Sequence, residues 1–162
     1  MESFVAALIL AIVQGITEWL PVSSSGHLVL FHSLLGYEAS LQFDVALHFG
    51  TLMSVFVYFG RDIMDIIEAF FKLRFKSEPG RLGILLVLGT IPAGLFGFIF
   101  RDVISNAFTS LLPVAIGFAI TGLVLIIASL DFFKSTKKMP FISDAFFIGV
   151  AQAVAIFPGI SR

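Results

Sequence analysis

Two stretches without a single charged residue, 82–100 and 110–130, constrain this chain more than any other feature. Each supplies the roughly 20 apolar residues needed to cross a hydrocarbon core about 30 Å thick. Lipid offers the backbone no hydrogen bonds, so such segments cross as helices that satisfy their own N–H and C=O groups. Composition agrees: of 162 residues, 58% are hydrophobic and 13% charged, with a mean hydropathy of +1.04. Soluble proteins carry about 25% charged residues. The expected fold class is an all-α integral membrane protein, with the bilayer as its solvent. A net charge of −1 with no basic stripe argues against a nucleic-acid partner. The absence of cysteine excludes disulfides, thiolate metal sites and thiol catalysis.

A third span is expected over 42–60, with Asp44 near its start and His48 within it. Two further apolar segments are interrupted. The first, 3–20, is broken by Pro21 and the run Ser23-Ser24-Ser25-Gly26-His27, and the apolar residues after it, to Leu35, are too few to cross. The second, 145–157, breaks at Pro158-Gly159. Both are read as re-entrant helical hairpins that enter the membrane, turn and return. The segment 3–13 lacks a basic n-region and a small-residue cleavage site, so it is expected to remain in the mature protein. Gly89, Pro92, Gly94 and Gly97 mark either a kink or close helix packing in the 82–100 span.

Charge placement predicts the topology. Arg61, Lys72, Arg74, Lys76 and Arg81 lie on one side of two crossings, and Lys134, Lys137 and Lys138 return to that same side. The positive-inside rule makes it cytoplasmic. The loop 101–109 and residues 37–40 are then external, and the two hairpins enter from opposite faces. A weak internal echo supports this: Gln14-Gly-Ile-Thr-Glu-Trp-Leu-Pro21-Val-Ser-Ser24 resembles Gln152-Ala-Val-Ala-Ile-Phe-Pro158-Gly-Ile-Ser161. The alternative is chance similarity between two apolar segments. The expected organisation is an inverted repeat, 1–140 and then 141–162 as the start of a truncated second copy; broken helices in such repeats build binding sites near the midplane.

Glu18 is the strongest single signal, because an ionisable side chain in a membrane segment is costly and by default functional. The alternative is a carboxylate at the interface that simply faces water. Gln14 lies one helical turn earlier on the same face, where it could equally bond a neighbouring helix. Ser23, Ser24 and Ser25 offer hydroxyls, Gly26 a flexible backbone and His27 an imidazole. Phosphoryl transfer needs an oxygen nucleophile, a group to manage its proton, and donors around the phosphate oxygens. The bland reading is a serine N-cap at a helix start. Ser161 and Arg162 follow Pro158-Gly159, and the guanidinium of Arg162 is suited to bidentate phosphate binding. His32 and His48 are expected as helix-contact residues. No spacing fits a dedicated zinc or EF-hand site.

The pattern from Gln14-x-x-x-Glu18 through Pro21-Val-Ser-Ser-Ser-Gly-His27 resembles the first signature of the undecaprenyl-diphosphate phosphatase family of the bacitracin-resistance type. Pro158-Gly-Ile-Ser-Arg162 is similar to the opening of its second signature, and the segments 43–51 and 89–94 also resemble the family. The resemblance implies a polytopic enzyme that removes one phosphate from a polyprenyl diphosphate carrier, depends on a divalent cation (Mg2+ or Ca2+), and opens its site to the outer face of the cell membrane. It implies catalytic roles for Glu18, Ser24, His27 and Arg162, with Gln14, Ser23, Ser25, Gly26 and Ser161 around the substrate. Glu18 and Gln14 are the candidate cation ligands, weakened because many members carry a second carboxylate where this chain has Gln14. Ser24 is the preferred nucleophile and His27 the variant. Family members continue past the second signature into further membrane helices, so a C-terminal half or self-association is expected to complete the second hairpin. The alternative function is a transporter that moves a polyprenyl-phosphate lipid without cleaving it.

Overall fold

The computed structural model describes residues 2–37, 40–130 and 139–161; Lys134, Lys137, Lys138 and Arg162 lie outside the described residues. Every regular element among the described residues is a helix: α1 (Glu2–Thr17), α2 (Ser24–Leu35), α3 (Leu41–Tyr58), α4 (Gly60–Phe71), α5 (Glu78–Ile99), α6 (Arg101–Ala107), α7 (Leu111–Ser129) and α8 (Ile142–Val154). The all-helical membrane fold read from the sequence is the one observed.

Helices α5 and α7 are long and apolar enough to cross a membrane, about 33 and 29 Å at about 1.5 Å per residue. The expected spans 82–100 and 110–130 thus become 78–99 and 111–129. The third differs more. Helix α3 meets the same test only together with α4, and the pair is bent by 79° at the break between them. Phe59 sits at that bend with a φ of −100°. Helix α4 occupies the first half of what the sequence suggests only as a basic connection. Ile63, Ile66, Ile67 and Phe70 recur at helical spacing, and Ile66 and Phe70 press on α5 at Gly83, where a Cβ would strike them both. On the polar side, the Lys72 ammonium donates to Glu68 and holds that carboxyl below the usual carboxylate range. The expected external loop 101–109 contains the short helix α6.

Helices α5 and α8 approach closely because each offers a stripe of small residues. Gly89, Ala93 and Gly97 recur every fourth position on α5, and Ala145, Gly149 and Ala153 do so on α8. A Cβ on Gly149 would run into the Gly89 carbonyl, and one on Gly89 would lie 3.2 Å from the Ala145 oxygen. Backbone-to-backbone contact of this kind replaces the hydrophobic effect, which lipid tails cannot supply between helices. Gly89 therefore belongs to the packing reading, and α5 runs as one helix through Pro92.

Helix directions follow from the contacts. Gln14 meets Thr51, and the ring of Trp19 meets that of Tyr58 at 6.0 Å, so α1 runs alongside α3 in the same sense. Gly89 faces Ala145 and Phe96 faces Phe157, so α8 runs in the same sense as α5. Helix α4 joins the end of α3 to the start of α5. Helices α1 and α8 are each shorter than α5, at 16 and 13 residues against 22.

Candidate active site

The loop between α1 and α2 is held in a backbone conformation that serine rarely adopts. Ser23 has a φ of 63°, and a non-glycine residue there costs on the order of 1–3 kcal/mol. Its hydroxyl oxygen accepts the N–H of Gly26 at 3.3 Å, capping α2, and the N–H of Gly159 at 3.0 Å. A single buried side chain therefore ties the tip of the first hairpin to the Pro158-Gly159 turn. Two bonds to otherwise orphaned amides, each worth about 1–3 kcal/mol if left unmade, offset the strain.

The far side of that contact is built on the middle of α7. Thr121, eleventh of the 19 residues of α7, donates its hydroxyl to the Gly159 carbonyl at 2.8 Å and accepts the Ser161 N–H at 2.9 Å. Gly159 has a φ of +93°, and a Cβ there would strike the Val114 carbonyl and approach Gly117 Cα to 3.0 Å. The first hairpin comes equally close: a Cβ on Gly26 would lie 2.7 Å from the Gly159 nitrogen. The turn is therefore clamped between α2 and α7 by backbone contact, with Pro158 fully buried beside it.

On the first hairpin, Glu18 Oε2 accepts from Gln14 Nε2 at 3.0 Å and from the Ser24 hydroxyl at 2.5 Å. Gln14, 1% exposed, also donates to the Thr51 hydroxyl at 3.3 Å, and its Oε1 is buried without a hydrogen-bond partner among the described residues. Glu18, Ser23, Ser24, Ser25 and Ser161 line one cavity of about 230 Å³, with Trp19, Pro21 and Ile160 also on its wall. A larger cavity of about 660 Å³ adjoins it, shares Ser25 and Ala155, and is walled largely by Leu85, Leu86, Ile148 and Ile156, with His48 and Gln152 among its few polar groups.

His27 lies outside the lining of the smaller cavity. Its Nδ1 meets the Ser23 carbonyl at 2.8 Å and its ring stands edge-on to Phe118 at 4.9 Å. A carbonyl only accepts, so Nδ1 carries a proton, which leaves Nε2 as the nitrogen facing away from that bond. Gln14 likewise stands behind Glu18 instead of on the wall. His32 acts as a helix contact, with Nε2 2.9 Å from Asp44 on α3. His48 is anchored through Nδ1 to the Asp44 carbonyl.

Two polar residues of this assembly escape sequence reasoning. Thr121 sits in an apolar span and Thr51 near the middle of α3, and an isolated threonine in such a helix ordinarily bonds its own preceding turn. Thr51 does that as well, donating to the His48 carbonyl at 2.9 Å. The only available signal for Thr121 is the glycine four residues before it, Gly117, which opens the groove that the Gly159 turn fills.

A carboxylate bonded to a serine hydroxyl, set in a polar cavity where two loops of a helical bundle with membrane-length apolar helices meet, defines a class: all-helical membrane proteins with a hydroxyl-rich polar cavity. Residues 7–162 match the family described as bacitracin resistance protein BacA, and the chain belongs to that family. It is 43% identical over its whole length to an undecaprenyl-diphosphatase of Halothermothrix orenii, covering 61% of that protein. It is 44% identical to an undecaprenyl-diphosphatase of Carboxydothermus hydrogenoformans, again over the whole chain and 59% of the relative. An undecaprenyl-diphosphatase of Methanosphaera stadtmanae is 39% identical, with 64% of its length covered. The chain thus spans about three fifths of the length of these relatives.

Proposed function

We propose that this chain carries catalytic machinery of a membrane phosphatase that converts undecaprenyl diphosphate to the monophosphate plus phosphate. That reaction recycles the lipid carrier for cell-wall polymers, and bacitracin resistance follows from it. The observation that carries the reading is the Ser24–Glu18 hydrogen bond on the wall of the smaller cavity. The diphosphate would occupy that cavity, and the adjoining apolar one would take the first isoprene units of the chain.

In this mechanism the Ser24 oxygen attacks the terminal phosphorus while its proton passes to Glu18. The bridging P–O bond breaks and the polyprenyl monophosphate leaves. Water then hydrolyses the serine phosphate, releasing inorganic phosphate and restoring Ser24. The geometry favours Glu18 over His27 as the immediate proton acceptor, because the carboxylate is the group bonded to Ser24. His27, with Nε2 available, serves the leaving group or the incoming water. Ser23, Ser25 and Ser161 would orient phosphate oxygens, Gly26 keeps the loop close to Gly159, and Arg162 would add its guanidinium.

A divalent cation fits the donors here. Glu18 and the unpartnered Gln14 Oε1 are both oxygen donors, which suit Mg2+ or Ca2+. Among the described residues no group of three His, Asp or Glu side chains forms a cage, so Glu18 on the cavity wall would share the ion with substrate phosphates, with the Gln14 oxygen behind it. Its contribution would be neutralisation of phosphate charge.

The test is phosphate release from undecaprenyl diphosphate in proteoliposomes. Ser24→Ala and Glu18→Gln are each expected to lose about 10²–10⁴-fold in turnover. Near-normal release by both variants would end this reading, and lipid translocation without any phosphate release would replace it with transport.

A further inference from the structure

Helix α4 and the turn after it form a surface that the catalytic proposal does not use. The chain bends by 79° between α3 and α4, so the two helices do not run as one straight span. One face of α4 presses Ile66 and Phe70 on α5, yet Met64 and Phe71 remain 61% and 86% exposed. The turn that follows is built rather than loose. Leu73 N–H bonds the Phe70 carbonyl at 3.1 Å, and Arg74 N–H reaches back to Ala69 at 2.8 Å. Ser77 donates both its N–H, at 3.1 Å, and its hydroxyl, at 2.7 Å, to the Arg74 carbonyl. The Phe75 ring locks edge-on against Phe70 at 5.5 Å.

Within this turn Leu73 has a φ of 52° and is 73% exposed. That is the left-handed position after a helix where glycine is the favoured residue, because a side chain there is strained. A leucine that bears the strain and still points away from the protein has no internal contact to justify it. Three cations surround it: Lys72, Arg74 and Lys76 are all exposed. Lys72 is paired with Glu68, whereas Arg74 and Lys76 make no ion pair among the described residues. The acids Asp65 and Asp62 lie about two and three helical turns before Lys72 on α4 itself, and the exposed Glu78 opens α5 two residues after Lys76.

We propose that the exposed apolar face of α4 and the 72–76 turn form a docking surface for an anionic phospholipid leaflet. Phe71 and Leu73 would enter the acyl boundary, while Arg74 and Lys76 bind headgroup phosphates. An apolar face beside a basic cluster is the combination that holds helices in a membrane interface, and charge complementarity selects the anionic leaflet over a neutral one. This inference is independent of the phosphatase reading, since none of these residues lines the smaller cavity.

The experiment equilibrates the purified chain with equal amounts of phosphatidylglycerol and phosphatidylcholine in mixed micelles and counts retained lipid by native mass spectrometry. Phosphatidylglycerol is expected to be retained in preference, the more so at low salt. Arg74→Gln with Lys76→Gln should weaken that preference on the order of fivefold per cation removed. The swap Arg74→Lys with Lys76→Arg should retain it, which separates lost charge from a damaged fold. Equal retention of the two lipids by the native chain, or full preference in the neutralised variant, overturns the proposal.

Discussion

Ser23 Oγ is the atom that joins the α1–α2 hairpin to the Gly159 turn. Replacing Ser23 by alanine leaves the buried amides of Gly159 and Gly26 without an acceptor, a loss of about 1–3 kcal/mol for each. Ser23→Ala should therefore lower the unfolding temperature and open the contact between the loops. Ser23→Gly, which relieves the 63° backbone, should restore only part of that stability; full recovery in a melting experiment would show that strain, not the hydrogen bonds, dominates. Thr121 is the matching test on the other side. Thr121→Val loses both bonds to the Gly159 turn, whereas Thr121→Ser keeps them, so a serine variant that melts like valine would contradict the role given to the hydroxyl. At this scale the sequence is most informative about Glu18, Gln14 and the serines, because charge and clustered hydroxyls stand out against an apolar background. It is silent about Thr121 and Thr51, because an isolated threonine in an apolar helix ordinarily bonds its own preceding turn, as Thr51 does and Thr121 does not. Spacing along the chain puts the His27 imidazole near Ser24, and in the structure the ring meets the Ser23 carbonyl and Phe118.

Among the elements, the two longest spans are the easiest to read, since uninterrupted apolar length is itself the signal. Their ends shift because Ser77 and Pro79 start α5 a turn earlier than its apolar run. Helix α4 is hidden by its charges, even though the spacing of Ile63, Ile66, Ile67 and Phe70 carries a helical period. The pairing of α5 with α8 shows only as glycine and alanine at every fourth position, a pattern that gains meaning once the two helices are known to touch. It can be tested with a matched pair of substitutions. Gly149→Val drives a side chain into the Gly89 carbonyl, while Gly94→Val projects into a position with nothing within 4 Å. The first should destabilise by about 1–3 kcal/mol through overpacking and the second should be nearly silent in a thermal melt; equal effects would mean that α5 and α8 are not in intimate contact.

The molecule as a whole has an orientation that charge alone predicts. Asn106→Cys should react with an impermeant maleimide applied to intact cells, and Lys76→Cys only after permeabilisation, because basic residues favour the cytoplasmic side. The native chain has no cysteine to confuse the result, and the reverse labelling would invert the topology. One bond in the molecule also has a history. The hydroxyl of Ser23 and the amide of Gly159 are 136 residues apart, so a ribosome working at about 5–20 residues per second needs roughly 7–27 s to deliver the second after the first. Throughout that interval Ser24 and Glu18 already exist, on a loop whose partner has not been made. The loop that carries them is therefore made well before the turn it packs against, and the contact between the two closes only after the helices encoded between them have been synthesised.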